Sequence, residues 1–174
     1  MRKVKLFIAS SLDGYIARKD GSIDWLYTDG NYGFAQFYDS VDTILMGRRT
    51  YEKTLELAGE YPHKDKKSYV FTHTASGRKR EKNQNVHFIV DVIEFAKDLV
   101  QSPGNDIWLV GGADIISIFL NAGLLDEIIL SIHPIILGNG IALFKNLQGQ
   151  TNLRLIKSTP YESGLLQLYY QYKS

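Results

Sequence analysis

The amino-acid sequence predicts an α/β fold whose mostly parallel central sheet is finished by antiparallel C-terminal strands. Short apolar runs alternate with amphipathic helical segments through the first two thirds of the 174 residues. Two of these runs pass through glycine directly into a helix, whereas the last third offers strand-like runs alone. We treat residues 1–174 as one domain, because this length suits a single domain with a substantial core.

The N-terminal part combines a buried strand with a long connection. Residues 4–10 form a short apolar run typical of a central strand. The polar, Gly-rich connection that follows contains Trp25 and the Asp29-Gly30 pair. We expect a functional or mobile loop there, because long irregular loops in compact domains are usually one or the other. Residues 33–40 predict a short helix with its aromatic side chains on one side.

Two strand-to-helix junctions contain glycine. Residues 43–46 predict a strand, which Gly47 joins to a helix over 49–58, and residues 107–116 repeat this plan around Gly111-Gly112. Glycine lets a ligand approach the backbone, and the free N–H groups at a helix start attract an anion such as phosphate. The alternative is a tight turn in which glycine only lets strand and helix pack.

The remaining elements complete the α/β pattern. Asp91 is a suitable N-cap for a helix that stops at Ser102-Pro-Gly104. Ligands of such sheets bind at the carboxyl ends of strands, where we expect both glycine junctions and the basic loop 78–80. That loop is either a phosphate contact or a solvated turn. The other predicted strands cover residues 68–72, 86–90, 127–136, 153–159 and 165–172.

Composition excludes several classes of protein. The net charge of +1 predicts no general attraction to nucleic acid, and the absence of cysteine removes disulfides and thiolate metal sites. Four scattered histidines predict no metal site. No apolar run is long enough for a signal peptide or a membrane span, so we expect a cytoplasmic protein. Rossmann, P-loop and nucleophile-elbow motifs are also missing.

Three motifs in order resemble those of dihydrofolate reductases. They are Phe7-Ile-Ala-Ser-Ser-Leu-Asp-Gly-Tyr-Ile-Ala17, Met46-Gly-Arg-Arg-Thr-Tyr-Glu52 and Val110-Gly-Gly-Ala-Asp114. Two features are closer to the reductase domain of the riboflavin-biosynthesis deaminase/reductase and its stand-alone bacterial relatives. They are the Ser-Leu-Asp-Gly sequence within the first motif and the later segment Pro134-Ile-Ile-Leu-Gly-Asn-Gly140. The resemblance covers nearly the whole chain. It implies a dihydrofolate reductase-like, three-layer α/β/α fold.

The resemblance implies an NADPH site. Thr72 would lie near the adenosine 2′-phosphate, although His73 stands where the family often has a basic residue, so Arg78 or Lys79 would have to fold back. The other cofactor-binding residues implied by the family are Gly47, Arg48 and Thr50 at one junction, Gly111, Gly112, Ala113 and Asp114 at the other, and Ala9 and Ile16 beside the nicotinamide.

On the substrate side, the resemblance implies one acid after the loop tryptophan and a hydroxyl on a later strand. Asp29 is the nearest match to the acid, and Ser131 is in register for the hydroxyl. A carboxylate in a partly closed apolar site would have a raised pKa and could relay a proton to a substrate nitrogen. The alternative is that Asp29-Gly30 is only a turn. Residues 60–67 offer no clear arginine for a folate tail.

The expected function is therefore an NADPH-dependent reductase of a pterin-like or ribosylaminopyrimidine-like heterocycle. The resemblance also implies a homodimer, and any riboflavin role would need a separate deaminase because no deaminase zinc motif is present. The alternative is a nucleotide-binding module of the same fold without catalysis, acting as a sensor or resistance protein.

Overall fold

The structure, a computed structural model, describes residues 1–73 and 85–172. None of the helices in these two ranges is long and apolar enough to cross a membrane. The elements in chain order are β1 (Val4–Ser11), β2 (Tyr15–Ala17), α1 (Phe34–Asp39), β3 (Val41–Gly47), α2 (Arg48–Ala58), β4 (Lys67–Phe71), β5 (Val86–Ile89), α3 (Val92–Gln101), β6 (Asp106–Gly111), α4 (Ala113–Asn121), β7 (Glu127–His133), β8 (Ile141–Ala142), β9 (Leu153–Pro160) and β10 (Leu166–Tyr172).

Eight of the described strands form one sheet in the order β5-β4-β3-β6-β1-β7-β10-β9. Every pairing from β5 through β7 is parallel. Strand β10 then runs antiparallel to β7, and β9 runs antiparallel to β10. The predicted mostly parallel sheet with antiparallel C-terminal strands is confirmed.

Helices cover both faces of the sheet and give the three layers. On one face, α3 and α4 pack Ala96 and Phe119 against Leu6 in a core of aliphatic side chains. On the other, α1 and α2 contribute Phe37 and Tyr51 to an aromatic-rich core. Apolar burial on both faces explains why the central strands read as continuous apolar runs without alternation.

Two short strands were not predicted. Strands β2 and β8 pair antiparallel in a separate two-stranded sheet, whereas the sequence predicted loops there. Strands this short show no readable alternation, so only the long-range pairing reveals them. The approach is close, because a Cβ on Gly140, at φ 158°, would overlap the Ala17 carbonyl oxygen. Asp13 joins the same two loops by accepting the N–H groups of Leu137 and Gly138.

The predicted helix cap is confirmed. Asp91 precedes α3, and its side chain accepts the backbone N–H of Glu94 at 3.2 Å. The predicted strand over 127–136 was too long, since β7 ends at His133 and Pro134, which lacks an N–H group, follows immediately. The single-domain organisation stays a prediction.

Candidate active site

The two glycine junctions lie side by side at one edge of the sheet. Strands β3 and β6 are neighbours, with Met46 opposite Gly111. A Cβ built on Gly47 would lie 3.8 Å from the Gly112 nitrogen, and one on Gly112 would lie 3.3 Å from Thr50 Oγ1. Residues separated by more than sixty positions therefore form one backbone surface, which we call the twin-glycine edge: residues 47–50 and 111–114.

The backbone of this edge needs glycine for conformation as well as space. Gly111 has φ 119°, a left-handed value that residues with a Cβ rarely adopt, and the peptide bond to Gly112 is cis. Gly47 and Gly112 are the N-cap residues of α2 and α4. Because glycine has no side chain to cap them, the first N–H groups of both helices are suited to donate hydrogen bonds to an external anion.

Charged side chains flank the twin-glycine edge. Arg48 Nε donates to Glu52 Oε1 at 2.8 Å on the surface of α2. Asp114, in the first turn of α4, pairs with Lys145 Nζ at 2.7 Å. Lys145 is held there because Ser117 Oγ donates to its carbonyl oxygen. Such exposed pairs add little stability, but Lys145 offsets the negative charge of Asp114 beside the helix start.

A cleft of about 300 Å³ opens at the carboxyl ends of β1 and β7. Ala9 and Ser131 face each other across these strands and both line it. We call it the β1/β7 cleft. Its other lining residues are Phe7, Leu26, Tyr27, Gly30, Asn31, Tyr32, Phe34, His133 and Leu165.

The back of the cleft contains a buried amide. Gln167 is fully buried and lies opposite Ser131 in the β7–β10 pairing. Its Nε2 donates to Ser131 Oγ at 3.0 Å and to the Tyr32 carbonyl oxygen at 2.9 Å. Its Oε1 accepts the Tyr169 hydroxyl at 2.7 Å. This amide therefore joins the C-terminal hairpin to the loop before α1.

His133 holds the opposite wall in place. Its Nε2 accepts the Tyr27 N–H at 3.2 Å, so the neutral ring carries its proton on Nδ1, 3.3 Å from the Ser131 carbonyl oxygen. The edges of Trp25 and Tyr27 pack against the ring. Burial lowers the pKa of His133, and the Ser131 carbonyl and the charge of Asp29 oppose that shift.

Asp29 lies in a different environment from the predicted one. We expected a carboxylate in a partly closed apolar site assisted by Ser131. Instead Asp29 is exposed, and its carboxylate accepts the Tyr32 hydroxyl at 2.7 Å. Ser131 is bonded to Gln167. The physical reason is that Tyr32, at φ 48°, turns the chain before α1, which leaves Asp29 on the solvent side of that turn.

The remaining predicted cofactor residues are distributed along the same edge. Thr72 is buried directly after β4, and its N–H donates to the Ile89 carbonyl oxygen at 2.9 Å. Ile16 is half-buried in β2, close to the end of β1. The basic loop 78–80 lies outside the described residues. Within the described ranges, no cluster of three or more His, Cys, Asp or Glu side chains is placed to hold a metal ion.

The sequence reading missed Tyr27, Tyr32, His133 and Gln167. Two weak signals were available. Ser131 and His133 alternate with apolar residues on β7 and so share one face. Gln167 is one of two glutamines in a strand that is otherwise apolar and aromatic, and it lies between Leu166 and Leu168. Neither signal indicates which residues of the 25–32 loop these side chains contact.

Comparison with solved structures defines the class of fold. The chain superimposes on dihydrofolate reductase from Enterococcus faecalis, solved with NADP(H) and RAB-propyl, with a TM-score of 0.72 at 15% identity, covering 99% of this chain and 97% of that one. At this identity the likeness establishes the fold alone. The protein therefore has a dihydrofolate reductase-like fold.

The sequence comparison identifies the family within that fold. The chain belongs to the family described as RibD C-terminal domain, which matches residues 2–167. It is 42% identical to protein YwjB of Bacillus subtilis (strain 168) over 97% of both chains. It is also 30% identical, with a TM-score of 0.89 over 99% of both chains, to a Shewanella sp. PV-4 protein named provisionally as a riboflavin biosynthesis protein. The family and its fold neighbours are reductases.

Proposed function

We propose that this protein is an NADPH-dependent reductase that transfers a hydride to a pterin-like or ribosylaminopyrimidine-like heterocycle. One observation carries the proposal: the twin-glycine edge and the β1/β7 cleft lie along the same carboxyl edge of the sheet. The two are adjacent, because β6, which ends at Gly111, pairs with β1, which carries Ala9 of the cleft. Ligands of parallel sheets bind at this edge.

The residues of the twin-glycine edge fit a dinucleotide with two linked phosphates. Cβ atoms would fill the space at Gly47 and Gly112, at 3.1 Å from Ile115 Cγ1 and 3.3 Å from Thr50 Oγ1. Two uncapped helix starts then present N–H groups to anions. We assign Gly47, Arg48, Thr50, Gly111, Gly112, Ala113 and Asp114 to the phosphates, Ala9 and Ile16 to the nicotinamide, and Thr72 to the 2′-phosphate end.

The protein's own residues position and protonate the molecule to be reduced. When bound, NADPH supplies the hydride. The aromatic walls of the cleft, Phe34 and Tyr32 among them, exclude water and hold a planar ring. Asp29 remains the proposed proton source. For this role the Asp29 carboxyl would take a proton from solvent and pass it to the oxygen of Tyr32, to which it is bonded, while the Tyr32 hydroxyl gives its own proton to the bound ring.

The particular reaction is proposed to resemble that of 5-amino-6-(5-phosphoribosylamino)uracil reductase or dihydrofolate reductase. The protein would act as a single-domain, cytoplasmic homodimer. The edge strand β9 supports self-association, because Leu155 and Ile156 are each about half exposed there.

Titration with NADPH and NADH, followed by thermal unfolding, tests the cofactor assignment. At about 100 times its dissociation constant, NADPH should stabilise the protein by about 2.7 kcal/mol and raise the midpoint by roughly 5 to 10 °C. NADH should raise it less. Absence of any shift with NADPH would contradict the proposal. Pterins and pyrimidines are then screened for faster NADPH oxidation.

The second candidate function is a binding module that has kept the cofactor site without catalysis. One observation favours it. Among the described residues, the hydrogen-bond partner of the Ser131 hydroxyl is the amide of Gln167 and not an acid, and the candidate acid Asp29 is exposed. Such a module would bind NADPH, yet no heterocycle would accelerate its oxidation. Accelerated oxidation by any member of the screen would exclude it.

A further inference from the structure

The hydrogen-bond partners of Gln167 determine which way its side-chain amide is oriented. The Tyr32 carbonyl oxygen, 2.9 Å away, can only accept a hydrogen bond, so the nitrogen of the amide must face it. The oxygen of the amide then faces the hydroxyls of Tyr169, at 2.7 Å, and Tyr161, at 3.4 Å. A flipped amide would bring two carbonyl oxygens together in a fully buried site, which is costly.

This orientation fixes the role of Ser131. Its Oγ lies 3.0 Å from Gln167 Nε2, which is a donor, so the hydroxyl oxygen must accept. That is its one hydrogen bond among the residues in ranges 1–73 and 85–172. The hydroxyl proton of Ser131 is therefore left to donate, and the side chain is buried except where it lines the β1/β7 cleft.

We propose that Gln167 is a positioning residue that makes Ser131 a hydrogen-bond donor into the β1/β7 cleft. The bound molecule must then present an acceptor to Ser131, which we assign to an exocyclic carbonyl oxygen of the ring. A carboxylate at position 167 would accept a hydrogen bond from the Ser131 hydroxyl. Ser131 would then favour a donor on the bound ring over an acceptor. The inference rests on the proposed function, because it treats this cleft as the place of the molecule to be reduced.

A matched pair of ring probes measures the preference. Quinazoline-2,4-dione and 2,4-diaminoquinazoline have the same shape, but carbonyl oxygens in one replace amino groups in the other. Dissociation constants are measured by titration calorimetry, with and without NADPH, at a pH above the pKa of the diamino ring so that both probes are neutral. The wild type should bind the dione about tenfold more tightly, because mispaired buried groups cost affinity.

Three variants show whether Gln167 and Ser131 set the ratio of the dissociation constants of the two probes. Gln167→Glu should abolish or reverse the preference, and Ser131→Ala should abolish it. Gln150→Glu makes the same chemical change in the exposed segment before β9, where Gln150 Nε2 donates to Asn152, and should leave the ratio unchanged. A role of Gln167 in stability alone would weaken both probes equally and preserve the ratio.

The inference is overturned if the wild type lacks the preference, or if Ser131→Ala retains it. Even if Gln167→Glu fails to fold, Ser131→Ala still tests whether the preference for the dione depends on the Ser131 hydroxyl. This variant removes only one oxygen from the cleft lining. A protein that binds NADPH but neither quinazoline would also overturn the inference, while leaving the proposed function standing. A protein that does not bind NADPH would remove the proposed function, and the ratio without cofactor would still decide the inference.

Discussion

The twin-glycine edge and the β1/β7 cleft are built from different parts of the chain. The edge consists of backbone: glycines, two helix starts and residues that follow one another directly in sequence. The cleft is lined by side chains from separate elements, among them Ser131 of β7 and Tyr32 of the loop before α1, and Gln167 of β10 lies behind them. Each glycine junction is therefore local in sequence, whereas the polarity of the cleft is a long-range property.

The difference also predicts how the two regions respond to change. A site built from backbone tolerates most substitutions at its other positions, but not at its glycines, where any substitution adds a Cβ. A side-chain network can instead be altered one hydrogen bond at a time, because each donor or acceptor is supplied by a separate residue. Affinity for the cofactor and selectivity for the ring should therefore be separable by mutation.

Gly112→Val should have the largest effect. Its Cβ would lie 3.3 Å from Thr50 Oγ1, and its branched methyl groups would cover the first N–H groups of α4. We expect NADPH affinity to fall by about 100-fold, or about 2.7 kcal/mol, measured by titration calorimetry. Gly149→Val is the matched control, because a Cβ there meets nothing within 4 Å. Unchanged affinity in Gly112→Val would show that the edge does not hold the cofactor.

Asp29→Asn should have an intermediate effect and should act on turnover alone. The amide cannot relay a proton, so we expect turnover to fall roughly tenfold while NADPH affinity is kept. The measurement is NADPH oxidation with whichever heterocycle accelerates it. Asp98→Asn, on the exposed side of α3, serves as the control. Equal turnover by Asp29→Asn and the wild type at acid and neutral pH would remove Asp29 from the mechanism.

His133→Gln should have the smallest effect, seen in the pH dependence of stability. Burial lowers the pKa of His133 below 6.5 in the folded protein. The unfolded chain therefore binds a proton first as the pH falls, and stability is lost below about pH 6.5. The Gln variant keeps an acceptor for the Tyr27 N–H without titrating. The drop in unfolding midpoint between pH 7.5 and pH 5.5 should be smaller in this variant.

The histidine comparison needs its own control. Burial also lowers the pKa of His63, which adds pH dependence of the same sign to every variant. His87→Gln, which makes the same substitution at an exposed histidine of β5, is the matched control. If His133→Gln matches the wild type, protonation of His133 does not weaken the contact with Tyr27.

The sequence by itself determined the helices, most of the strands and the two glycine junctions. Apolar runs, helical spacing, the Asp91 cap and the glycine junctions are local patterns, and each is set by the conformations that its own residues allow. The parallel order of the central strands also follows from their alternation with helices.

Only the tertiary structure decided the polarity of the cleft. Gln167, Ser131 and the Tyr32 carbonyl lie up to 135 positions apart along the chain. The β2–β8 pairing depends on long-range packing in the same way. Hydrogen-bond direction depends on which donor meets which acceptor. That meeting is fixed by packing between distant elements, and no local sequence pattern contains it.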